Sequence, residues 1–271
     1  MPKSSRGGKA GATTTYTIRQ PMYHPVTNPR PTPQAAPQPT PPVNQPPIQQ
    51  NNSPSFDAFR KMTDDQKADV IMQAQKTQVP VFLAQNDLQK VLYGLKLNDK
   101  PTLVDDSVLD STPGKELFRT VNATSDNANR IKYTAADIAS QTIKGSVTRV
   151  SDTGGSVHGR GIYFADDYRS SVSYGNRSGN VSQTAVVRVK LSPSARLVST
   201  TTAANGVANE ISKGTKLGKA LSKIGHQDRT AVWSLAKGYD AMVGGYGYHV
   251  VINRSALIAS KDIKPAGSKW K

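Results

Sequence analysis

Cysteine is absent from this chain of 271 residues, and glutamate occurs only twice, at Glu116 and Glu210. Without a thiol there is no disulfide framework, no thiolate metal site and no cysteine nucleophile. The histidines stand at 24, 158, 226 and 249, too scattered for metal-ligand spacing, so no metal is expected. No apolar run approaches the ~20 residues that span a bilayer, and the basic N-terminus has no hydrophobic segment behind it. The expectation is a soluble protein with no membrane association and no conventional secretion signal. Carboxylates are missing altogether from residues 1–55, where Lys3, Arg6, Lys9, Arg19 and Arg30 are the charged groups and prolines crowd between Pro21 and Pro54 among Gln, Asn and Thr. Such a stretch buries too little apolar surface to offset its ordering entropy, which predicts a disordered basic tail over 1–55. About 215 residues remain, enough for one well-buried core.

What charge there is lies unevenly. Residues 56–170 are balanced, with 15 basic and 15 acidic side chains, whereas residues 171–271 carry 15 basic against 4 acidic. A cationic surface attracts nucleic acid, anionic lipid or a negatively charged cosubstrate through long-range fields and counterion release. The plain alternative is a solubilising surface. DNA contact through the basic tail and the C-terminal third is one expectation from this distribution.

Local patterns fill in the elements. Ser55-Phe56-Asp57 leads into a predicted helix with Phe59, Met62, Val70 and Ile71 as its apolar positions, and Asp64 and Asp65 lie near a start signalled by Thr63. Asn86 to Leu95 reads as a second helix ended near Gly94, and Leu117 to Val121 as a buried strand. Thr134 to Ile143 predicts a short helix, and Val147 to Val150 a further strand. The glycine-rich segment 154–161 runs straight into Ile162-Tyr163-Phe164-Ala165, a strand, after which Asp166 or Asp167 is placed to cap a helix over Tyr168–Tyr174. Alternation in 184–191 marks another strand, 207–237 is helical in tendency, and Tyr239–Val243 with Tyr248–Ile252 form a closing pair around Gly244-Gly245-Tyr246-Gly247.

A glycine-rich loop alone mostly marks a turn, and this one lacks the strand, loop and helix order of a dinucleotide-binding fingerprint. Its continuation is more specific. Gly159-Arg160-Gly161-Ile162-Tyr163-Phe164-Ala165-Asp166, with Ser171 eight residues and Tyr174 eleven residues after Tyr163, resembles the nicotinamide pocket of the poly(ADP-ribose) polymerase-like ADP-ribosyltransferases. The resemblance implies an α+β fold over residues 56–262: a split, mostly antiparallel β-sheet core with flanking helices, followed by a basic C-terminal tail at 263–271. It implies NAD as cosubstrate, with Tyr163 and Tyr174 sandwiching nicotinamide while Ser171 and the Gly161 backbone hold its carboxamide. Stacked aromatic rings suit a flat heteroaromatic ligand, and Ser171 lies one helical turn before Tyr174 on the same face. Upstream, Arg119 stands where the polymerase branch has a histidine. Arginine there resembles the toxin-like branch, which implies that Arg119 and Thr120 meet NAD phosphate or ribose, and a guanidinium fork suits a diphosphate.

One departure from the family is plain. The catalytic glutamate of active members falls at about Tyr248, beside His249. Glu116 precedes the first strand, and Glu210 lies in the helical insert, from which it would have to reach the site through a loop. The leading expectation is a mono-ADP-ribosyltransferase that modifies a protein or nucleic acid and releases nicotinamide, with Arg119, Tyr163, Tyr248 and Glu210 as catalytic candidates. The second is a non-enzymatic protein on the same fold. Transferase-like domains of this kind occur as minor components of bacteriophage heads, so it would sit in the cytoplasm of a bacterial host or in a virion. A plain nucleic-acid-binding module is the third, although neither the aromatic strand pattern of single-strand readers nor a helix-turn-helix signature is present.

Deleting residues 1–55 is predicted to leave the melting temperature of the remainder nearly unchanged, because the segment has no apolar periodicity to contribute to a core. A thermal melt of the truncated chain checks this, and a drop of many degrees would show that the tail packs on the domain.

Overall fold

The computed structural model describes residues 56–79, 86–95, 100–125, 131–144, 160–175 and 184–267. The predicted strand at 147–150 and most of the glycine-rich segment therefore lie outside the described residues, as does the N-terminal 1–55. The strands are β1 (Thr102–Val104), β2 (Glu116–Asn122), β3 (Thr124–Ser125), β4 (Ile131–Tyr133), β5 (Ile162–Ala165), β6 (Thr184–Leu191), β7 (Leu197–Ser199), β8 (Ala241–Val243), β9 (Tyr248–Val251), β10 (Leu257–Ser260) and β11 (Lys264–Pro265). The helices are α1 (Phe56–Lys61), α2 (Asp64–Ala74), α3 (Asp87–Gly94), α4 (Asp106–Ser111), α5 (Ala135–Lys144), α6 (Tyr168–Gly175), α7 (Thr200–Ser212), α8 (Lys216–Ser222) and α9 (Arg229–Ala236).

Nine strands form one mixed, mostly antiparallel sheet in the order β1-β10-β6-β2-β5-β9-β8-β7, with β11 added to β6. Only β1 with β10 and β7 with β8 run parallel. The α+β class expected from sequence is thus observed. Helices cover both faces. On one side α2, α3, α7, α8 and α9 enclose Ile71, Leu88, Leu217, Leu221 and Leu235 over β8 and β9, while α6 covers β2 and β6 through Phe118, Val186 and Tyr168. On the other side α5 lays Ala135, Ala139 and Ile143 against Leu117, Val187, Phe164 and Val251. Apolar burial of this kind contributes roughly 25 cal/mol per Å². No helix among the described residues is long and apolar enough to cross a membrane.

Local chemistry explains the helix starts. Thr63 closes a capping box, its hydroxyl accepting from the Gln66 amide at 3.3 Å while the Gln66 side chain accepts from the Thr63 amide at 2.9 Å. The helix read from residue 57 onward is accordingly two helices, broken at this cap. Asn86 accepts from the Gln89 amide at 2.8 Å and starts α3 where expected.

Two differences from the sequence expectations have physical causes. The helical stretch read at 207–237 begins at Thr200 and breaks into α7, α8 and α9, because Ser199 and Thr215 each cap a new start. The other is the predicted tail at 263–271, whose first residues belong to the fold: Lys264 and Pro265 pair with Val186 and Ala185, and Ala266 is buried. Within β6, Arg188 and Lys190 are both buried: Arg188 is ringed by Asp106, Asp110 and Glu116, and Lys190 donates to the Thr112 carbonyl at 2.7 Å.

The close approach of α8 to α7 gives a stability prediction. A Cβ on Gly218 of α8 would overlap the Glu210 carbonyl of α7. Backbone cannot yield as a side-chain tip can, so Gly218→Ala is expected to destabilise the domain by at least the ~1–3 kcal/mol of ordinary overpacking. Denaturant unfolding reads this directly, and an unchanged midpoint would mean that the two helices are free to separate.

Candidate functional site

The sheet is nearly parted at its middle. β2 pairs with β6 along its whole length, from Glu116↔Lys190 to Asn122↔Thr184. With β5 it shares a single partnered pair, Phe118↔Ala165. Beyond that pair the strands diverge, and backbone groups lining the opening need other partners. Arg119 supplies one, its Nη1 donating to the Tyr163 carbonyl at 3.1 Å across the gap. On the other side of β2, the Thr120 hydroxyl lies 2.9 Å from the Ser171 hydroxyl of α6. The parted strands thus leave a gap, or slot, that the Arg119 guanidinium bridges, with the hydroxyl pair on the α6 side of β2.

Strand registers settle which side chains share a face. Tyr163 is opposite Val250 and Ala165 opposite Tyr248, and partnered residues project to the same side. With Phe118 opposite Ala165, alternation puts Thr120, Tyr163 and Tyr248 on the face that α6 covers. Ser171 is 4% exposed and lies on the inner side of α6. Tyr174, one turn later, is 51% exposed, so its ring is left largely to solvent or a ligand. It meets Tyr248 edge to face, with ring centroids 5.3 Å apart and planes at 64°. The fold thus sets Thr120 against Ser171 and Tyr174 against Tyr248, on the sheet face that also carries Tyr163, which packs against the large core cluster. Gly161, directly before β5, has little room for a side chain. A Cβ there would come within 2.5 Å of the Val250 Cγ1 and 3.0 Å of the Val251 carbonyl oxygen.

Arg119 and His249 point the other way. Leu117 and Val121 flank Arg119 in the core beneath α5, and His249 is opposite Phe164. Arg119 reaches the slot only through the gap between strands. Its Nε is cut off from solvent and has no partner, and no carboxylate pairs with it among the described residues. Desolvation, with no counter-charge, pushes the guanidinium down to about 10. It stays cationic at neutral pH and remains an anion acceptor. His249 has its Nδ1 unsatisfied; burial lowers its pKa, opposed by Asp166.

Sequence reasoning assigned Asp166 and Asp167 only to helix capping. Asp167 fills that role by accepting from the Ser170 amide at 2.8 Å. Asp166 instead pairs with Lys115 at 2.5 Å, while its amide donates to the Gly247 carbonyl at 2.9 Å. Desolvation raises the pKa of the Tyr248 phenol, and Tyr174, Asp167 and Asp166 push it the same way. Tyr248 is neutral at physiological pH.

Glu210 lies elsewhere. Its carboxylate accepts from the Thr215 hydroxyl at 2.6 Å and pairs with Lys237 at 2.9 Å, and Lys237 also holds Asp64. Partial burial raises the Glu210 pKa, but these two partners outweigh it and hold the carboxyl below its usual range. The expectation that Glu210 reaches the site through a loop meets a residue on a capped helix, engaged in an ion-pair network. Glu116 is likewise held, by Arg188 at 2.9 Å. Among the described residues no group of three His, Asp or Glu side chains converges as a metal site.

Comparison with protein-family models, with curated proteins and with solved structures finds no match.

The unpaired cation gives a prediction. Arg119→Gln keeps a donor for the Tyr163 carbonyl and removes a desolvated charge, so the unliganded domain should melt at the same temperature or higher. Affinity for NAD should fall about 10-fold or more, since hydrogen bonds to charged groups are worth ~1.5–3 kcal/mol. Paired thermal melts and calorimetric titrations check both halves; a large drop in melting temperature would make Arg119 a purely structural cation.

Proposed function

We propose that the domain binds NAD in the slot between β2 and β5 and acts as a mono-ADP-ribosyltransferase, passing ADP-ribose to a protein or nucleic acid and releasing nicotinamide. The observation that carries this reading is that the Thr120 and Ser171 hydroxyl pair and the Tyr174 and Tyr248 ring pair stand on the sheet face that also carries Tyr163. A carboxamide offers one acceptor and two donors, and a hydroxyl pair can serve both kinds of group. Tyrosine rings beside it suit the flat pyridinium. Arg119, a cation without an anion at the edge of the same opening, suits the diphosphate.

In the transfer step the bond from nicotinamide nitrogen to the anomeric carbon breaks, and its electron pair leaves with nicotinamide, which becomes neutral. Positive charge builds on the ribose as the acceptor nucleophile adds at the anomeric carbon and gives up its proton. The slot contributes orientation and proximity. Tyr248, a neutral phenol, contributes only a dipole where a carboxylate would stabilise the developing charge. Preorganised electrostatic groups of that kind are typically worth about 10²–10³ in rate. Unassisted transfer is therefore slow, and substrate assistance from the acceptor is the route left open.

A second reading follows from the glutamates. Both are held in ion pairs, Glu116 by Arg188 and Glu210 by Lys237, which favours a catalytically degenerate domain that binds NAD without consuming it and serves as a phage virion component or a DNA-associated protein.

Nicotinamide release by the purified full chain separates the two. Tyr248→Glu is expected to raise release about 10²-fold over the parent, while Glu210→Gln leaves it unchanged. Activity lost on Glu210→Gln would reassign the catalytic carboxylate. Calorimetric NAD binding with no release from either the parent or Tyr248→Glu would establish the degenerate reading, and no NAD binding at all would sink both.

A further inference from the structure

Among the described residues, five cations of the C-terminal third meet carboxylates. Arg188 faces Asp106, Asp110 and Glu116, and Lys264 also pairs with Asp106. Lys216 pairs with Asp69, Lys237 with Asp64 and Glu210, and Lys261 with Asp105. Arg254, fully buried, donates to the Thr142 carbonyl at 2.8 Å near the end of α5, and Arg229 donates to the Ile224 and Ser222 carbonyls. Arg196 stands over the Tyr239 ring. Besides Lys190, which is buried and donates to the Asp110 and Thr112 carbonyls, three lysines of this region have no ion pair among the described residues: Lys213, Lys219 and Lys223, all exposed.

They share one corner of the molecule. Lys213 is the C-cap of α7, directly before the turn at Gly214 and Thr215 that starts α8. Lys219 and Lys223 are four residues apart, hence on one face of α8 and about 6 Å apart along its axis. The inner face of that helix is buried through Leu217, Ala220 and Leu221, and its outer face carries no apolar residue, only the lysines and Ser222. Such a face gives a membrane nothing to insert, since interfacial helices pair a basic face with an exposed apolar one. No exposed aromatic lies on α8 for stacking on an unpaired base. Positive charges and a hydroxyl at short intervals match a run of phosphates.

We propose that the α7–α8 corner, through Lys213, Lys219 and Lys223, is a docking surface for the sugar-phosphate backbone of double-stranded DNA, read by charge and without sequence specificity. Cations near helix C-termini also interact favourably with the helix dipole. That role predicts a loss of stability on substitution, whereas the docking role predicts a loss of salt-dependent binding.

The test uses the full chain, whose N-terminal five cations give a background affinity, and random-sequence duplex DNA titrated from about 50 to 200 mM salt. With all three lysines changed to alanine, the slope of log affinity against log salt should become shallower by about 2.7, the value for three phosphate contacts at ~0.9 each. Lysine to arginine at the same positions should restore the parent slope, since charge and not shape is read. An unchanged slope in the alanine variant overturns the proposal, and a lowered melting temperature with unchanged slope assigns the lysines to the helix ends instead. Lysine-dependent binding to anionic phospholipid vesicles without lysine-dependent DNA binding also overturns it, in favour of a lipid surface.

Discussion

The candidate site depends on one mismatch of pairing in the sheet. β2 satisfies all its hydrogen bonds on one side with β6, yet meets β5 at a single pair, Phe118↔Ala165. Buried backbone groups are rarely left without partners, so the parted strands need something between them. The Arg119 side chain supplies part of it, by capping the Tyr163 carbonyl. The same divergence makes room beside the Thr120 and Ser171 hydroxyls. A continuous ladder between β2 and β5 would bring neighbouring strands to the usual ~4.8 Å and close the slot.

The elements around this opening are held in place by polar contacts between distant parts of the chain. Asp240 is a buried hub, accepting from Arg60, from the Arg196 amide at 2.9 Å and from the Asn253 side chain at 2.7 Å. From just before β8 it ties α1 to the residue before β7 and to the loop after β9. Arg160, next to Gly161, bonds the Gln227 side chain at 2.9 Å, and Asp228 accepts from the Asp87 amide at 3.1 Å. These contacts pin the start of β5 to the turn between α8 and α9. Breaking one partner of such a buried set strands a charge, which costs more than the pair contributes. The rigidity is what allows a slot lined by only a few residues to keep its shape.

Electrostatics divides the molecule in a way that net charge conceals. The formal charge of +16 is a property of the chain, whereas attraction for a polyanion depends on which cations lack local partners. Arg188, Lys190 and Arg254 are buried and act as interior donors. Arg119 likewise donates to a backbone carbonyl, and its Nε is buried without a hydrogen-bond partner.

Much of the architecture was legible before any coordinates. The strands at 117–121, 162–165 and 184–191, the helices at 86–95, 134–143 and 168–174, and the spacing of Tyr163, Ser171 and Tyr174 follow from local patterns that tertiary packing reinforced. Short-range chemistry decides such features: caps at Thr63 and Asn86, apolar period, and an i, i+3 relation between Ser171 and Tyr174. Other features are decided only by partners distant in sequence. Three-residue strands such as β1 and β7 carry too few side chains to show a period, and they exist because β10 and β8 offer edges. Residues 264–265 look like a tail until β6 supplies a partner. That Arg188 is buried and Lys219 exposed cannot be told from two equally charged side chains, because the carboxylates around Arg188 come from α4 and β2. Likewise the register of β5 against β9, and no local pattern, sets Tyr248 beside Tyr174 and turns His249 to the opposite face. Sequence determines what each segment can form locally; long-range pairing determines which side chains share a face, and the candidate site is made of that second kind of information.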